Sequence, residues 1–103
     1  MLLVETTVFT RRVTMLLTDE EYREFQAALI ADPKAGDTIT GTGGLRKIRW
    51  SAPGRGKRAG VRIIDYHVDA RDRIYLLVIY TKSEKDDLSW DEMRVLRRLM
   101  EDP

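Results

Sequence analysis

Cysteine is absent from the 103 residues, which excludes disulfides, thiolate metal sites and cysteine nucleophiles and is compatible with a reducing compartment. The one histidine, His67, leaves no second imidazole for a two-histidine ribonuclease mechanism or a histidine-built metal site. No apolar run approaches the roughly 18 to 20 residues needed to span a bilayer, and the N-terminus lacks the basic-then-apolar pattern of a secretory signal. A net excess of charge is missing too, since 18 Lys and Arg stand against 17 Asp and Glu. Whole-chain charge therefore makes no case for a nucleic-acid or membrane partner. With 43% hydrophobic and 34% charged residues, the chain reads as a soluble, cytoplasmic protein forming a single domain over residues 1–103.

What the sequence does have is segregated charge. From Thr38 to Ile64 there are seven bases (Arg46, Lys47, Arg49, Arg55, Lys57, Arg58 and Arg62) and no acid, while the other residues carry 11 bases against 17 acids. A solvated face ordinarily mixes both signs. Unbalanced positive charge in one segment is what a polyanion-binding surface requires.

The pattern along the chain places these bases on strands. Leu3 to Phe9 is rich in β-branched and apolar residues and predicts a strand. Thr18 followed three positions later by Glu21 is a capping box, opening a helix that ends near Ala31 and packs Tyr22, Phe25 and Leu29 into the core. Leu45 to Trp50 predicts a strand with Lys47 and Arg49 on one face and Ile48 and Trp50 on the other. "SAPGRGKRAG" is punctuated by proline and glycine and reads as a loop. "VRIIDYHV" alternates again, with Arg62, Ile64 and Tyr66 opposite Val61, Ile63, Asp65 and His67. After a "DARD" turn, Arg73 to Lys82 is the most apolar segment and the expected central strand, with Tyr80 and Lys82 sharing a face at its end. Ser89 and Glu92 form a second capping box for a closing helix with Met93, Leu96, Leu99 and Met100 as its apolar stripe. The order β-α-β-β-β-α predicts an α+β domain: an antiparallel sheet with helices on one side.

Two local motifs carry little chemistry. "GTGGLRK" lacks the phosphate-loop spacing and leads into a strand instead of a helix, so its glycines serve a turn. His67, alone near a strand end, reads as a structural residue. The basic residues of the two strands, by contrast, converge on one side of a sheet, where they suit a phosphate backbone, and Tyr66 and Tyr80 offer rings for stacking bases.

"GTGGLRKIRW", "GRGKR", "GVRII", "IYLLVIYTKSEKDDLS" and the closing helix, in this order and spacing from about Thr18 onward, resemble the RelE/HigB family of bacterial toxins, within the RelE/ParE superfamily and nearest its HigB-like branch. The resemblance implies a RelE-like fold and a ribosome-dependent messenger-RNA endonuclease acting in the 30S decoding site. It further implies a helix-turn-helix, HigA-like antitoxin that holds the toxin in a hetero-oligomer. The family's paired strand bases map onto Lys47 and Arg49, its strand-start arginine onto Arg62 and its strand-end base onto Lys82. Its C-terminal tyrosine falls near Leu88, where this chain has none, and its second lysine has become Arg49; "IDYH" stands where relatives carry two consecutive aromatics. The implied reaction is attack of a 2′-hydroxyl on the adjacent phosphorus. It needs a base, positive charge on the transition state and an acid for the leaving 5′-oxygen. Arg49 and Arg62 suit the charge, and Lys47 and Lys82 suit proton transfer because arginine holds its proton too firmly. Arg46, Arg55, Lys57, Arg58, Tyr66 and Tyr80 are then the RNA-binding set. No cofactor or metal is called for, because the cations supply the charge that Mg²⁺ would. The alternatives are a ParE-type inhibitor of DNA gyrase, which shares the fold, and a non-catalytic RNA-binding protein.

Overall fold

Thr6 decides where the first strand stops. Its hydroxyl accepts from the Phe9 amide at 3.0 Å and donates to the Leu77 carbonyl at 2.7 Å, so it both caps a helix and ties that helix to the sheet. In this computed structural model, which describes residues 1–51, 60–85 and 87–101, strand β1 is therefore only Leu2–Glu5, and helix α1 spans Thr7–Leu16. The strand expected to reach Phe9 is shorter than predicted, and α1 is an element the sequence reading lacked. Thr7, Val8, Thr10 and Val13 favour a strand by propensity, but Phe9 and Val13, one helical turn apart, are both buried, and that packing outweighs propensity.

The two capping boxes form as expected. Thr18 and Glu21 exchange bonds of 2.8 and 3.1 Å at the start of α2 (Asp19–Ala31), and Ser89 and Glu92 exchange bonds of 2.9 and 3.1 Å at the start of α3 (Trp90–Leu99). The α2 stripe packs in the core, with the Phe25 ring edge-on to Trp50 at 5.6 Å between centroids. Leu99, assigned to the α3 stripe, is exposed, and Leu96 and Met100 carry that contact.

A two-residue strand β2 (Asp37–Thr38) precedes β3 (Leu45–Trp50), β4 (Val61–Val68) and β5 (Arg73–Thr81), and the five strands order β1-β5-β4-β3-β2. The sheet is mixed where an antiparallel one was expected, because β1 runs parallel to β5 on its outer edge. The centre is β4, with β5 beside it. Between Ile64↔Val78 and Asp65↔Leu76 the register skips Leu77, a bulge that turns Leu77 and Val78 to the same face.

The helices also divide between the two faces, where one side was expected. Phe9, Val13, Phe25 and Leu29 of α1 and α2 pack on Ile48, Ile63, Leu76 and Ile79, while Leu96 and Met100 at the other helix pack on Leu45, Ile64, Leu77 and Tyr80. Period-2 alternation buries both faces of β4 and β5. Among the described residues no helix is long and apolar enough to cross a membrane.

Candidate active site

On the α3 face, Arg49 of β3, Arg62 of β4 and Tyr80 of β5 stand directly opposite one another in a single cross-strand row. Directly opposed residues have Cβ atoms about 5 Å apart, and like charges so placed repel. Such a row is unfavourable in a bare protein and favourable once an anion lies across it. Lys47 occupies the next row, opposite Ile64, on the same face. Strand alternation thus delivers the grouping of Lys47, Arg49, Arg62, Tyr80 and Tyr66 on one face that the sequence led us to expect.

Arg62 is only 8% exposed, and its Nε is buried with no hydrogen-bond partner among the described residues. Charge held in such a poorly solvated place acts more strongly on a bound anion than charge in water. Arg49 is exposed. Lys82 follows the end of β5 and lines, with Arg49 and Arg62, a cleft of about 430 Å³. A second cleft of about 390 Å³ lies between β2–β3 and the start of α3, and Lys47, Arg49, Tyr80 and Trp90 line it. Arg49 belongs to both clefts.

Asp87 enters this cluster from the turn before α3, and its Oδ1 accepts from Lys47 Nζ at 2.5 Å. That bond, together with the charges of Arg62 and Arg49, holds the Asp87 carboxyl below its ordinary pKa. Tyr80 is 4% exposed, with a buried hydroxyl that has no partner among the described residues. Burial raises its pKa, Asp87 pushes the same way and Arg62 opposes.

Other expected members fall elsewhere. Arg46 is on the α1/α2 face, where its Nη1 donates to the Lys34 carbonyl at 3.0 Å, because its neighbour Lys47 takes the other face. Tyr66 shares the site's face but lies two rows away under α3, with the Arg97 guanidinium 4.9 Å from its ring centroid, so its face is already covered. Arg55, Lys57 and Arg58 lie outside the described residues. Asp65 and His67 project to the face opposite Arg62, and His67 Nε2 lies 3.3 Å from Asp69.

Sequence reasoning missed Asp87 and Trp90. Asp87 meets Lys47 across 40 positions of chain, and nothing in "SEKDDLS" marks it as the partner of that lysine. The glycine turn held the better clue. Gly41 has φ +81°, and a Cβ there would stand 3.2 Å from the Trp90 ring, so the turn is shaped to admit that indole. It leads into β3 and cradles α3 side chains instead of a phosphate.

No family model matches the sequence. Among solved structures, the isolated Escherichia coli RelE toxin is similar at TM-score 0.60 and 12% identity, over 95% of this chain and 97% of that one. A form of the same toxin with two arginine-to-alanine substitutions, in the free state, is similar at TM-score 0.62 and 11% identity, over 82% of this chain and 86% of that one. At these identities the likeness is one of fold, and this chain has the α+β fold of the RelE toxin, with a cationic row of its own on the face that α3 covers.

Proposed function

We propose that this chain is the toxin of a toxin–antitoxin pair, in the HigB-like branch of the RelE superfamily, and that it cuts messenger RNA in the ribosomal decoding site. The observation that carries this reading is the Arg49–Arg62–Tyr80 row with Lys47 beside it, four side chains of three adjacent strands, and Lys82 just past the end of β5, around two clefts that share Arg49. In the reaction the 2′-oxygen attacks the neighbouring phosphorus, the bond to the 5′-oxygen breaks, and negative charge builds on the phosphoryl oxygens. Arg62 and Arg49 stabilise that charge, and Lys47 and Lys82 exchange the protons. A helix-turn-helix antitoxin of the HigA type restrains the toxin in a hetero-oligomer. No metal is required in this scheme.

The Lys47–Asp87 ion pair favours one second reading, a non-catalytic RNA-binding protein, because it engages one of the two proton-transfer candidates. Inducible expression in bacteria with mapping of messenger-RNA 5′-ends separates the two. The expected outcome is new ends within translated codons for the wild type and none for Arg62→Ala, with thermal melting showing that the variant remains folded. Growth arrest without new ends would move the target to DNA gyrase. No arrest, with salt-sensitive RNA binding retained, would establish the non-catalytic reading.

A further inference from the structure

Trp90 is 61% exposed, although a large aromatic ring left in water forgoes a substantial burial energy. It is not loosely placed. As the first residue of α3 it follows the Ser89 cap, and its far ring edge reaches the turn at Gly41. The indole therefore spans the gap between helix and turn and forms one wall of the cleft that Lys47 and Arg49 line. Thr38 and Thr40 line the same cleft, so hydroxyl groups capable of both donating and accepting are present alongside the ring. Tyr80 is buried and Tyr66 lies under Arg97, so neither expected tyrosine presents a free face.

We propose that Trp90 is the stacking platform for one nucleobase of a single-stranded RNA whose phosphates lie on Lys47, Arg49 and Arg62. The inference rests on the reading of the cationic row as an RNA site and adds to it a base pocket. Because Arg49 lines both clefts, a backbone held at Arg62 and Lys82 passes over Arg49 and delivers its next base into the Trp90 cleft. Stacking tolerates any base, since every base has a π-face, and Thr38 and Thr40 supply the contacts to its edge. Asp37 and Asp87 line this cleft with Lys47 and Arg49 and balance their charge, so the uncharged base belongs in the cleft and the phosphates on the Arg49–Arg62 row beside it.

The test uses the full-length chain and a short, labelled single strand with 2′-O-methyl sugars, which block cleavage, beside a fully abasic sugar-phosphate strand of equal length. Affinity is read by fluorescence anisotropy. Contact is read by quenching of Trp90 in a Trp50→Phe background, where it is the only indole. Trp90→Ala is expected to weaken binding of the base-bearing strand about 5- to 150-fold, Trp90→Phe to recover most of the loss, and the abasic strand to bind wild type and Trp90→Ala alike. If Trp90→Ala binds the base-bearing strand as wild type does, the inference fails and the exposed ring belongs to a protein contact. An equal loss on both strands would also overturn it, because the residue would then act on the backbone or the fold. Failure of the wild type to bind either strand would remove this inference together with the reading of the cationic row. Absence of cleavage on ribosomes alone leaves these binding results standing.

Discussion

Asp65 is fully buried on the α1/α2 face, and neither carboxylate oxygen has a hydrogen-bond partner among the described residues. Burial pushes its pKa up to about 7, with Arg46 opposing. In the unfolded chain the same group titrates near 3.8, so the folded state holds the proton more tightly. The linked stability is complete below about pH 4, falls as the pH climbs toward 7 and levels off above that, a loss on the order of 4 kcal/mol. Asp65→Asn, neutral at every pH, is expected to flatten the melting profile between pH 4 and 8. At pH 8 it should raise the melting temperature by about 10 °C or more. An unchanged pH slope in the variant would show that another group carries the dependence. Alternation gives the face of Asp65 from sequence alone, but its lack of a partner follows from neighbours on other strands. The same holds for Asp87, whose carboxylate is paired with Lys47 beside the cationic row. Asp87→Asn should bind single-stranded RNA several-fold more tightly at moderate salt, and weaker binding would mean that Asp87 itself contacts RNA.

At the scale of elements, whatever depends on short-range pattern was legible. The bounds of β3 and β4, the two capping boxes and the shared face of Lys47, Arg49 and Arg62 follow from periods and offsets within a few residues. Elements decided by distant partners were not. β2 is two residues long and exists because it pairs with β3, and α1 overrides a β-branched composition because Thr6 is bonded to Leu77, 71 positions away. That dependence is measurable. Thr6→Val keeps the shape but removes the cap and the Leu77 bond, and should cost about 1–2 kcal/mol in chemical denaturation. A loss near zero would mean that packing of Phe9 and Val13 alone sets the strand-to-helix boundary.

For the molecule as a whole, the division of α1 and α2 from α3 leaves one face for core and one face shared between core and the cationic row. Net charge near zero says nothing of this arrangement, because the excess is local. If four cations (Lys47, Arg49, Arg62 and Lys82) neutralise phosphates, single-strand affinity should fall with salt at a logarithmic slope of about −3, and Arg49→Ala should reduce that slope by about 0.7. A slope unchanged by Arg49→Ala would remove Arg49 from the phosphate path.

The parallel pairing of β1 with β5 has a kinetic consequence. Leu2 lies beside Arg73 and Glu5 beside Leu76, so β1 must wait for a strand about 70 residues further along the chain to find its place. Local hairpins of β3, β4 and β5 form across short loops, whereas closing the outer edge brings together ends about 70 residues apart and is slow. Tyr80, which stands opposite Arg62 in the row, lies on that same β5 strand. Under the proposed function, the surface that would act on RNA therefore exists only once β5 has been added to β3 and β4, and the order of the strands along the chain sets a delay before that activity.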